Sequence, residues 1–439
     1  MSGRVSHGWM GTKSCHLWGS LAVGVMLAAT MAPLPAWTGC FSIQADGDAV
    51  VAIQAVTGGF GLSVTLANLG PGDATDVSWY IGIQGALWPS GSASGTVTLL
   101  PAGESTVVRG PFFLGLGPAQ VMVRAGGDLR HGACQLLGPF TLEVDMVQGR
   151  EESIPPDAVK GTPDNDHFPP VVHDPAYRQP VPLPGPVNTA GAEDACFITL
   201  DGSQFYFFFT PDVSVPAQQQ LLDGVTGIWW TRQQGGTWTE PERILLNHDL
   251  ALDGAPFVEG SQMWFASFRV GNYGQDGDMW TAEYVDGQWT RWRNAGELLN
   301  GDYNIGEMHL TPDGTLYFHR EEGGYGGLDL WTTTLVNGTW TEPVTMGPTV
   351  NSVYDDSRPW VSPDGTQLWF TRPSGAGYVG PAVFRSLKVN GAWTPPEEVI
   401  SNFAGEPTLD AQGNVYFVHH FFSPDMEMLE ADIYVAYRV

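Results

Sequence analysis

Lysine is almost absent from this chain of 439 residues, which contains only Lys13, Lys160 and Lys388. Acidic residues outnumber basic ones by 47 to 19, so the formal net charge at pH 7 is −28. Binding to nucleic-acid phosphates depends on Lys and Arg side chains that displace counterions. Nucleic acid is therefore excluded as an expected partner.

Cysteine is scarce as well, with four in the chain. Cys15 lies in the N-terminal segment, which leaves an odd number and no dense disulfide framework. If Cys40 carries a lipid, Cys134 and Cys196 could pair only across domains. If it does not, Cys40 and Cys134 could pair, because they lie near the two ends of one predicted domain. For Cys196 we favour a buried free thiol on an inner strand.

No apolar stretch beyond residue 40 is long enough to span a bilayer. Residues 1–39 contain Arg4 and Lys13, no acid, and an apolar stretch over residues 17–34. A charged start followed by an apolar middle is typical of an export signal. We therefore expect the rest of the chain to be extracytoplasmic, either secreted or anchored in the cell envelope.

The sequence leaves three possibilities for how this export signal ends. Small residues at Ala36 and Gly39 would suit cleavage, and retention as an uncleaved anchor is also possible. The phrase ending at Cys40 resembles a lipobox, whose cysteine is lipidated after cleavage, although Trp37 stands where a small aliphatic residue is usual. A membrane is thus an expected partner only through the signal or a lipid on Cys40.

One strand-turn-strand phrase occurs five times in the C-terminal half of the chain. Its aromatic strands are centred on Tyr206, Trp264, Tyr317, Trp369 and Tyr416. Successive centres lie 58, 53, 52 and 47 residues apart, which is the range at which a four-stranded blade recurs. The repeat predicts a β-propeller of five blades.

Each unit continues with a third strand, and four of the five add a tight turn and an outer strand. Asn337-Gly338 and Asn390-Gly391 are such turns, and Asn-Gly between apolar runs is a strong hairpin signal. The fifth unit stops at Val439 without an outer strand. Because a ring must close, we expect the missing strand to come from residues 182–186, before unit one.

The phrases over residues 324–331, 340–343 and 360–365 resemble the TolB-type, WD-like β-propeller repeats of bacterial and archaeal envelope proteins. The resemblance covers roughly residues 180–439 and implies a propeller fold. It implies no single function, because that family includes protein-binding propellers, peptidase-associated propellers and many uncharacterised secreted proteins.

Residues 41–145 have a different sequence pattern from the repeats. Stretches of strand length that alternate or run apolar, such as residues 59–68, 77–83 and 120–125, are separated by Gly and Pro clusters. This rhythm is typical of an antiparallel sandwich. The phrase over residues 99–105 resembles Ig-like, fibronectin-like spacer domains of secreted and cell-surface proteins, which implies a domain that positions another.

Residues 146–180 are rich in Pro, Asp and Glu. Proline removes backbone donors and favours an extended chain, which predicts a semi-rigid linker before a propeller over residues 181–439. His167 and His173 lie six residues apart in this linker. A pair without a third ligand is more typical of ordinary loop histidines, so neither a metal nor a cofactor is expected.

The first strand of every unit begins near a carboxylate. These acids are Glu193, Asp253, Glu307, Asp356 and Glu406. Since the first strands of a propeller line its central channel, we expect the acids to gather at one mouth. There the acids could raise the pKa of one of their number, bind a cation or form hydrogen bonds with sugar hydroxyls.

Basic residues complete the candidate site. His309 and Arg358 lie beside the acids, and Arg320, Arg372 and His419 lie three residues after the aromatic centres. Meeting at the channel mouth, these groups would form a polar site that suits a carbohydrate or a peptide. Alternatively, the acids and arginines hold adjacent blades together by hydrogen bonds.

Catalysis is the other function class. In five-bladed glycoside hydrolases three carboxylates serve as base or nucleophile, acid and pKa modulator, and Asp253, Glu307 and Glu406, or Glu193 with Asp356, could take such roles. No phrase specific to those enzymes is present, and neither a Gly-x-Ser-x-Gly elbow nor a phosphate loop occurs. We therefore expect binding rather than catalysis.

The sequence thus predicts an all-β protein, with an antiparallel Ig-like β-sandwich followed by a five-bladed β-propeller. The alternative architecture is a six-bladed ring with a degenerate blade from residues 165–190. The expected function is non-catalytic binding of a glycan, protein or peptide at the channel mouth of an exported protein. The alternative is a secreted carbohydrate-active enzyme.

Overall fold

The structure is a computed structural model that describes residues 44–45, 49, 51–89, 91–125, 128–147, 150–220, 225–244, 246, 251–269, 271–273, 277–285, 288–321 and 323–439. The protein is all-β, with 57% strand and 3% helix. Within the described residues, none of the helices has the length and apolar character needed to cross a membrane. The predicted export signal and Cys40 lie outside these ranges.

The N-terminal region forms two antiparallel sheets. Its strands are β1 (Gln44–Ala45), β2 (Val51–Thr57), β3 (Gly59–Phe60), β4 (Ser63–Asn68), β5 (Ala74–Trp88), β6 (Ser92–Leu100), β7 (Ser105–Arg109), β8 (Leu114–Ala125), β9 (Asp128–Gly138) and β10 (Phe140–Val147). The larger sheet has the order β1-β5-β8-β9-β10-β3 with β6 beside β5, and the smaller has the order β2-β4-β7.

The two sheets share one hydrophobic core. Val64 and Leu66 of β4 are fully buried in it, as are Ile81 of β5 and Val123 of β8. Buried and partly exposed residues alternate along β8 from residue 119 to 125, because successive side chains of a strand point to opposite faces of the sheet.

A segment with little regular structure joins this region to the repeats. It contains α1 (Arg150–Ser153), β11 (Val171–Val172) and β12 (Val181–Pro182). We call residues 150–182 the strap.

Five consecutive units of antiparallel strands follow. Unit one contains β13 (Ala192–Ile198), β14 (Gln204–Thr210), α2 (Ala217–Gln220), β15 (Gly227–Gln234), β16 (Thr237–Trp238) and β17 (Glu242–Arg243), and unit two contains β18 (Leu252–Glu259), β19 (Gln262–Phe268), β20 (Asp278–Val285) and β21 (Gln288–Asn294). A π-helix, Leu298–Asp302, precedes unit three, which contains β22 (Met308–Leu310), β23 (Thr315–Arg320), β24 (Asp329–Val336), β25 (Thr339–Trp340) and β26 (Val344–Thr345). Unit four contains β27 (Ser357–Val361), β28 (Gln367–Pro373), β29 (Pro381–Val389), β30 (Ala392–Trp393) and β31 (Glu397–Ser401), and unit five contains β32 (Ala404–Leu409), β33 (Val415–Phe422) and β34 (Met428–Ala436).

The repeated aromatic phrase forms the second strand of each unit. Phe265, Phe318, Phe370 and Phe417 of these strands are fully buried. The Asn-Gly turns occur where the sequence predicts them, with φ of 51° at Asn337, which is the left-handed conformation that a type I′ turn requires.

The first strands of the units contact one another in order around a ring. β13 contacts β18, β18 contacts β22, β22 contacts β27, β27 contacts β32, and β32 contacts β13. Antiparallel sheets of consecutive strands, arranged radially around a channel, are the architecture of a β-propeller. The β-propeller fold predicted for the repeats is therefore present.

The ring closes as the sequence predicts, through a strand that precedes unit one. β12 pairs with β34, with Val181 opposite Val435 and Pro182 opposite Tyr434. β11 pairs with β31 of unit four. Within the described residues 150–220, the stretch 165–190 thus extends existing sheets and forms no sheet of its own.

The strap contacts the propeller along its length. Arg150 bonds Glu193 of unit one, Lys160 pairs with Glu430 of unit five, and His173 bonds a residue of unit four. Its composition predicts a linker, and proline content alone gives no sign of these polar contacts. The segment ties units four, five and one together.

Of the cysteines that the structure describes, Cys134 and Cys196 are both buried and free. Cys196 lies on the first strand of unit one, as we favoured. Its thiol donates a hydrogen bond to the carbonyl oxygen of Glu406 at 3.5 Å, and burial raises the pKa of this thiol well above its usual value. Cys196 therefore has a packing role.

Candidate functional site

Three consecutive residues of each unit line a cavity in the channel. The first residues of these five trios are Ala195, Ala255, Glu307, Arg358 and Glu406. Four of them adopt positive φ, between 46° and 57°, and the strand pairing shifts there by a β-bulge in units one, two, four and five. A bulge re-aims the side chain at its position, which explains how these four strands present this residue to the channel. We call the three charged members the channel ring.

Arg358 joins the two glutamates of the channel ring. Its Nε lies 3.0 Å from an Oε2 of Glu307 and 2.7 Å from an Oε1 of Glu406. The side chains are 27%, 19% and 9% exposed, in the order Arg358, Glu307, Glu406. Two carboxyls from different units therefore share one guanidinium in a partly desolvated place.

A third carboxyl, Asp194, belongs to the same electrostatic group. Burial acts to raise the pKa of Asp194, but the nearby imidazole of His420 and the charge of Arg358 leave that pKa below its ordinary value. The His420 Nε2 lies 3.8 Å from Asp194 Oδ1. Burial raises the pKa of Glu307, and it raises the pKa of Glu406 further because Asp194 and Glu307 add like charge.

Two further histidines line or approach the channel in neutral form. Burial lowers the pKa of His309 to about 3 and, together with the charge of Arg358, lowers the pKa of His319 to about 3. His309 packs between Phe257 and Trp360, with ring centroids 4.7 and 5.6 Å away. His309 is thus a neutral wall residue that adds no positive charge at pH 7.

The space inside the channel ring is small. The cavity has a volume of about 60 Å³, far below the roughly 300–1,000 Å³ of pockets that hold drug-sized ligands. Glu406 Oε2 is buried and has no hydrogen-bond partner among the residues that the structure describes. A small donor group would fit and would satisfy this acceptor.

The other predicted acids do not line the cavity. Glu193, Asp253 and Asp356 lie two residues before the channel position of their strands, where they pair with Arg150, Arg269 and Arg372 respectively. The five acids therefore occupy two registers, and the alternative in which acids and arginines tie the propeller together applies to these three. We call the three pairs the staples.

Each staple arginine also binds the backbone and an aromatic ring. Arg150 donates to the carbonyl oxygen of Val187 at 2.6 Å, and Arg269 donates to that of Leu246 at 2.9 Å. The guanidinium carbons lie 5.2, 5.3 and 5.1 Å from the centroids of second-strand phenylalanines, within the reach of a cation–π interaction. A staple thus fastens a first strand, a second strand and the connection before them.

Arg320 and His419 occupy the corresponding places in units three and five. At the position where units one, two and four have an acid, unit three has Ile305 and unit five has Ala404. Arg320 instead donates to the Tyr303 carbonyl oxygen at 3.3 Å and lies 3.8 Å from the Trp331 ring centroid. His419 Nε2 lies 2.9 Å from Asp166 of the strap. Neither lines the channel cavity.

The structure therefore brings four of the ten predicted residues to the cavity wall. They are Glu307, His309, Arg358 and Glu406. Among the described residues, no group of three or more His, Cys, Asp and Glu side chains is arranged to hold a metal ion.

Sequence reasoning missed the partners that the strap supplies. Arg150, Lys160 and Asp166 lie 43, 270 and 253 residues from the groups they bind, and no local pattern marks such distances. The sequence does contain a signal for the two registers of acids. When the units are aligned on the turns that follow the first strands, Glu193 and Glu406 differ by two positions.

No protein-family model and no curated protein matches the chain. Among solved structures it is similar to TolB from Acinetobacter baumannii, at 14% identity over 73% of this chain and 76% of that one, with a TM-score of 0.33. It is also similar to a prolyl endopeptidase, at 12% identity over 80% of this chain and 52% of that one (TM-score 0.31), and to a putative 6-phosphogluconolactonase from Bacteroides uniformis, at 13% identity over 74% and 97% (TM-score 0.25). Such TM-scores carry no conclusion about this chain, so the fold assignment depends on the strand order and ring contacts above.

Proposed function

We propose that the chain is an exported, non-catalytic binding protein whose channel receives a positively charged group of a protein or peptide partner. The observation that carries the proposal is the charge imbalance of the channel. Glu307 and Glu406 both pair with a single guanidinium, that of Arg358, which also feels the charge of Asp194. A site with more carboxyls than cations favours a cationic guest.

The size and the hydrogen-bonding capacity of the cavity support an ammonium group in particular. A lysine side chain ends in a compact ammonium with three donors, which suits a volume of about 60 Å³. Glu406 Oε2 supplies an acceptor without a partner among the described residues. Binding a cation there would also lower the raised pKa values of Glu307 and Glu406, since an opposite charge stabilises the carboxylate.

The proposed architecture around this site is a five-bladed propeller over residues 181–439, preceded by an Ig-like sandwich over residues 41–145 and joined to it by residues 146–180. The ring contacts of the five first strands support the blade count. The shared core of the two N-terminal sheets supports the sandwich. Export rests on the composition of residues 1–39.

The carbohydrate-active alternative has less physical support. A glycosidase needs one carboxyl free to donate a proton and a second that flanks the sugar. Glu307 and Glu406 instead bind the same guanidinium, and the cavity is too small for a sugar ring. A glycan bound at the outer rim of the channel would need no such room.

A calorimetric titration with two short peptides tests the proposal. We expect acetyl-Gly-Lys-Gly-amide to bind the full exported chain, and its Nε-acetyl-lysine counterpart to bind at least about tenfold more weakly, because hydrogen bonds to charged groups contribute about 1.5–3 kcal/mol. Equal affinities for the two peptides would contradict the proposal. A reducing-sugar assay on a glycan panel is the companion test, and product that disappears in Glu307→Gln would favour the enzyme instead.

A further inference from the structure

A larger cavity than the channel lies between the strap and the loops of units one and five. Its volume is about 390 Å³, within the range of roughly 300–1,000 Å³ that is typical of small-molecule sites. The loop after β14 and the end of β33 form its propeller side, and residues 155–167 of the strap form the other side. None of its lining residues belongs to the channel cavity.

Much of the wall of this cavity is apolar. Phe421 is buried beneath it, Val213 lies on the loop after β14, and Val159 and Leu429 are 76% and 54% exposed. Covering such side chains stabilises a complex in proportion to the apolar area removed from water. The cavity therefore favours a ligand with an apolar body.

The charged part of the wall has one sign. The acids Asp157, Asp166, Asp212 and Glu430 line the cavity together with His167, and no lysine or arginine is among its described lining residues. Asp166 is paired with His419. Glu430 is only 1% exposed. Its Oε1 accepts hydrogen bonds from Lys160 Nζ and from the backbone N–H of Gly161, each at 2.7 Å, while Oε2 has no hydrogen-bond partner within the described residues. Glu430 therefore places a carboxyl with unused acceptor capacity at the cavity wall.

The chain itself places an ammonium group at this corner. Lys160 Nζ binds Glu430 and Asp432 and lies 5.7 Å from the Phe421 ring centroid. Carboxylates beside an aromatic face form a favourable environment for an organic cation. The second oxygen of Glu430 extends that environment beyond what Lys160 uses.

From these observations we propose that the strap cavity is a second ligand site, which binds an organic ammonium ion with an apolar body. The apolar wall receives the body, and Glu430, with Asp212 and Asp157 near the rim, receives the cation. The site is independent of the channel ring, because the two cavities share no lining residue.

Titration calorimetry at constant ionic strength tests the site with phenethylammonium as the probe and the full exported chain as the receptor. We expect one phenethylammonium to bind per chain. Neutral 2-phenylethanol, which lacks the charge, and methylammonium, which lacks the body, should each bind at least about tenfold more weakly. Equal binding of the alcohol would overturn the proposal, and so would the absence of saturable phenethylammonium binding.

Matched variants locate the site. Glu430→Gln keeps the shape of the side chain, and Asp212→Asn keeps the acceptor for the Ser214 backbone N–H. We expect Glu430→Gln to weaken phenethylammonium by at least about tenfold and Asp212→Asn to weaken it by a few fold. Glu307→Gln in the channel should leave the affinity unchanged.

Two results would overturn the assignment to the strap cavity. One is loss of phenethylammonium binding in Glu307→Gln, which would place the probe in the channel. The other is unchanged phenethylammonium affinity both in Glu430→Gln and in a separate double variant, Asp157→Asn with Asp212→Asn. If Glu430→Gln fails to fold, the double variant decides alone, since Asp157 is exposed on the strap and its substitution leaves the buried pairs intact.

Discussion

The staples and the channel ring are made of the same residue types, and their acids occupy registers two positions apart along the first strands, yet their surroundings differ. Asp356 has Arg372 to itself, and that arginine also binds the Val350 carbonyl oxygen. Glu406 shares Arg358 with Glu307. A staple is thus complete within the chain, whereas the channel ring has carboxyls in excess.

The difference separates two roles. A carboxylate with its own guanidinium, backbone donors and no access to the channel can only stabilise the fold, since its loss leaves a buried arginine uncompensated. A carboxyl at a bulge in the channel wall is positioned to meet a ligand. The predictions below test whether this division is real.

The largest effect should come from removing the strap, because it supplies the outer strand of unit five and an open sheet edge invites aggregation. We expect a chain that starts at Gly191 to be insoluble or less stable by several kcal/mol than a chain that starts at Arg150. Thermal midpoints of the two purified chains provide the measurement. Equal midpoints would show that β12 and the strap contacts are dispensable.

Breaking a single staple should have the next largest effect. Arg372→Ala removes the partner of Asp356, which is fully buried, and should lower the free energy of unfolding by about 3–5 kcal/mol. Arg291→Ala, which removes an exposed ion pair with Glu283, is the matched control and should cost less than about 1 kcal/mol. Denaturant unfolding of both variants measures the difference, and similar values would sink the staple interpretation.

The contribution of the Glu193 staple to the free energy of unfolding should depend on pH. Burial raises the pKa of Glu193 from 4.5 to about 7, although Arg150 opposes the rise. When folding raises the pKa of a carboxyl, its contribution to stability is complete below the pKa of the unfolded state. This contribution is lost as the pH rises through the pKa of the folded state. The protein should therefore lose about 3 kcal/mol of this contribution between pH 4.5 and pH 8.

The variant Glu193→Gln isolates that contribution, because glutamine cannot ionise. We expect the stability of the native chain relative to Glu193→Gln to fall by about 3 kcal/mol from pH 4.5 to pH 8. Unfolding curves of both chains across this range measure the gap. A gap that stays constant would mean that Glu193 is ionised throughout, held by Arg150.

The smallest effect on stability is expected in the channel. The pKa of Glu406 is raised by burial and by neighbouring carboxyls, so the ionised side chain carries a desolvation cost that Glu406→Gln removes, which offsets the loss of its pairing with Arg358. We expect its free energy of unfolding to change by less than about 1 kcal/mol, as measured by denaturant unfolding. A loss as large as that of Arg372→Ala would make Glu406 another staple.

The fold of the repeats could be read from the sequence because its signals are local. The aromatic second strands, the Asn-Gly turns at Asn337 and Asn390, and the missing outer strand of unit five each appear within a few residues. Closure by residues near 182 followed from counting strands. The two N-terminal sheets were predicted from alternation alone.

The site could be predicted only in part, because its chemistry depends on distant partners. The acid repeat indicated a polar channel, but a two-residue shift in register decides whether an acid meets an arginine or the cavity. A bulge at the channel position, as at Ala195 and Glu406, re-aims that side chain toward the cavity, and a bulge has no fixed sequence signal at a residue other than glycine. Nothing in the proline-rich sequence of the strap indicates that Arg150 and Asp166 pair with residues of the propeller.

The most direct test of this division compares Glu406→Gln with Arg372→Ala in one calorimetric titration, using acetyl-Gly-Lys-Gly-amide at a temperature where both variants are folded. The account predicts that Glu406→Gln keeps its thermal midpoint and binds the peptide at least about tenfold more weakly. It predicts that Arg372→Ala has a lower midpoint and native affinity. Native affinity in Glu406→Gln, or lost affinity in folded Arg372→Ala, would contradict it.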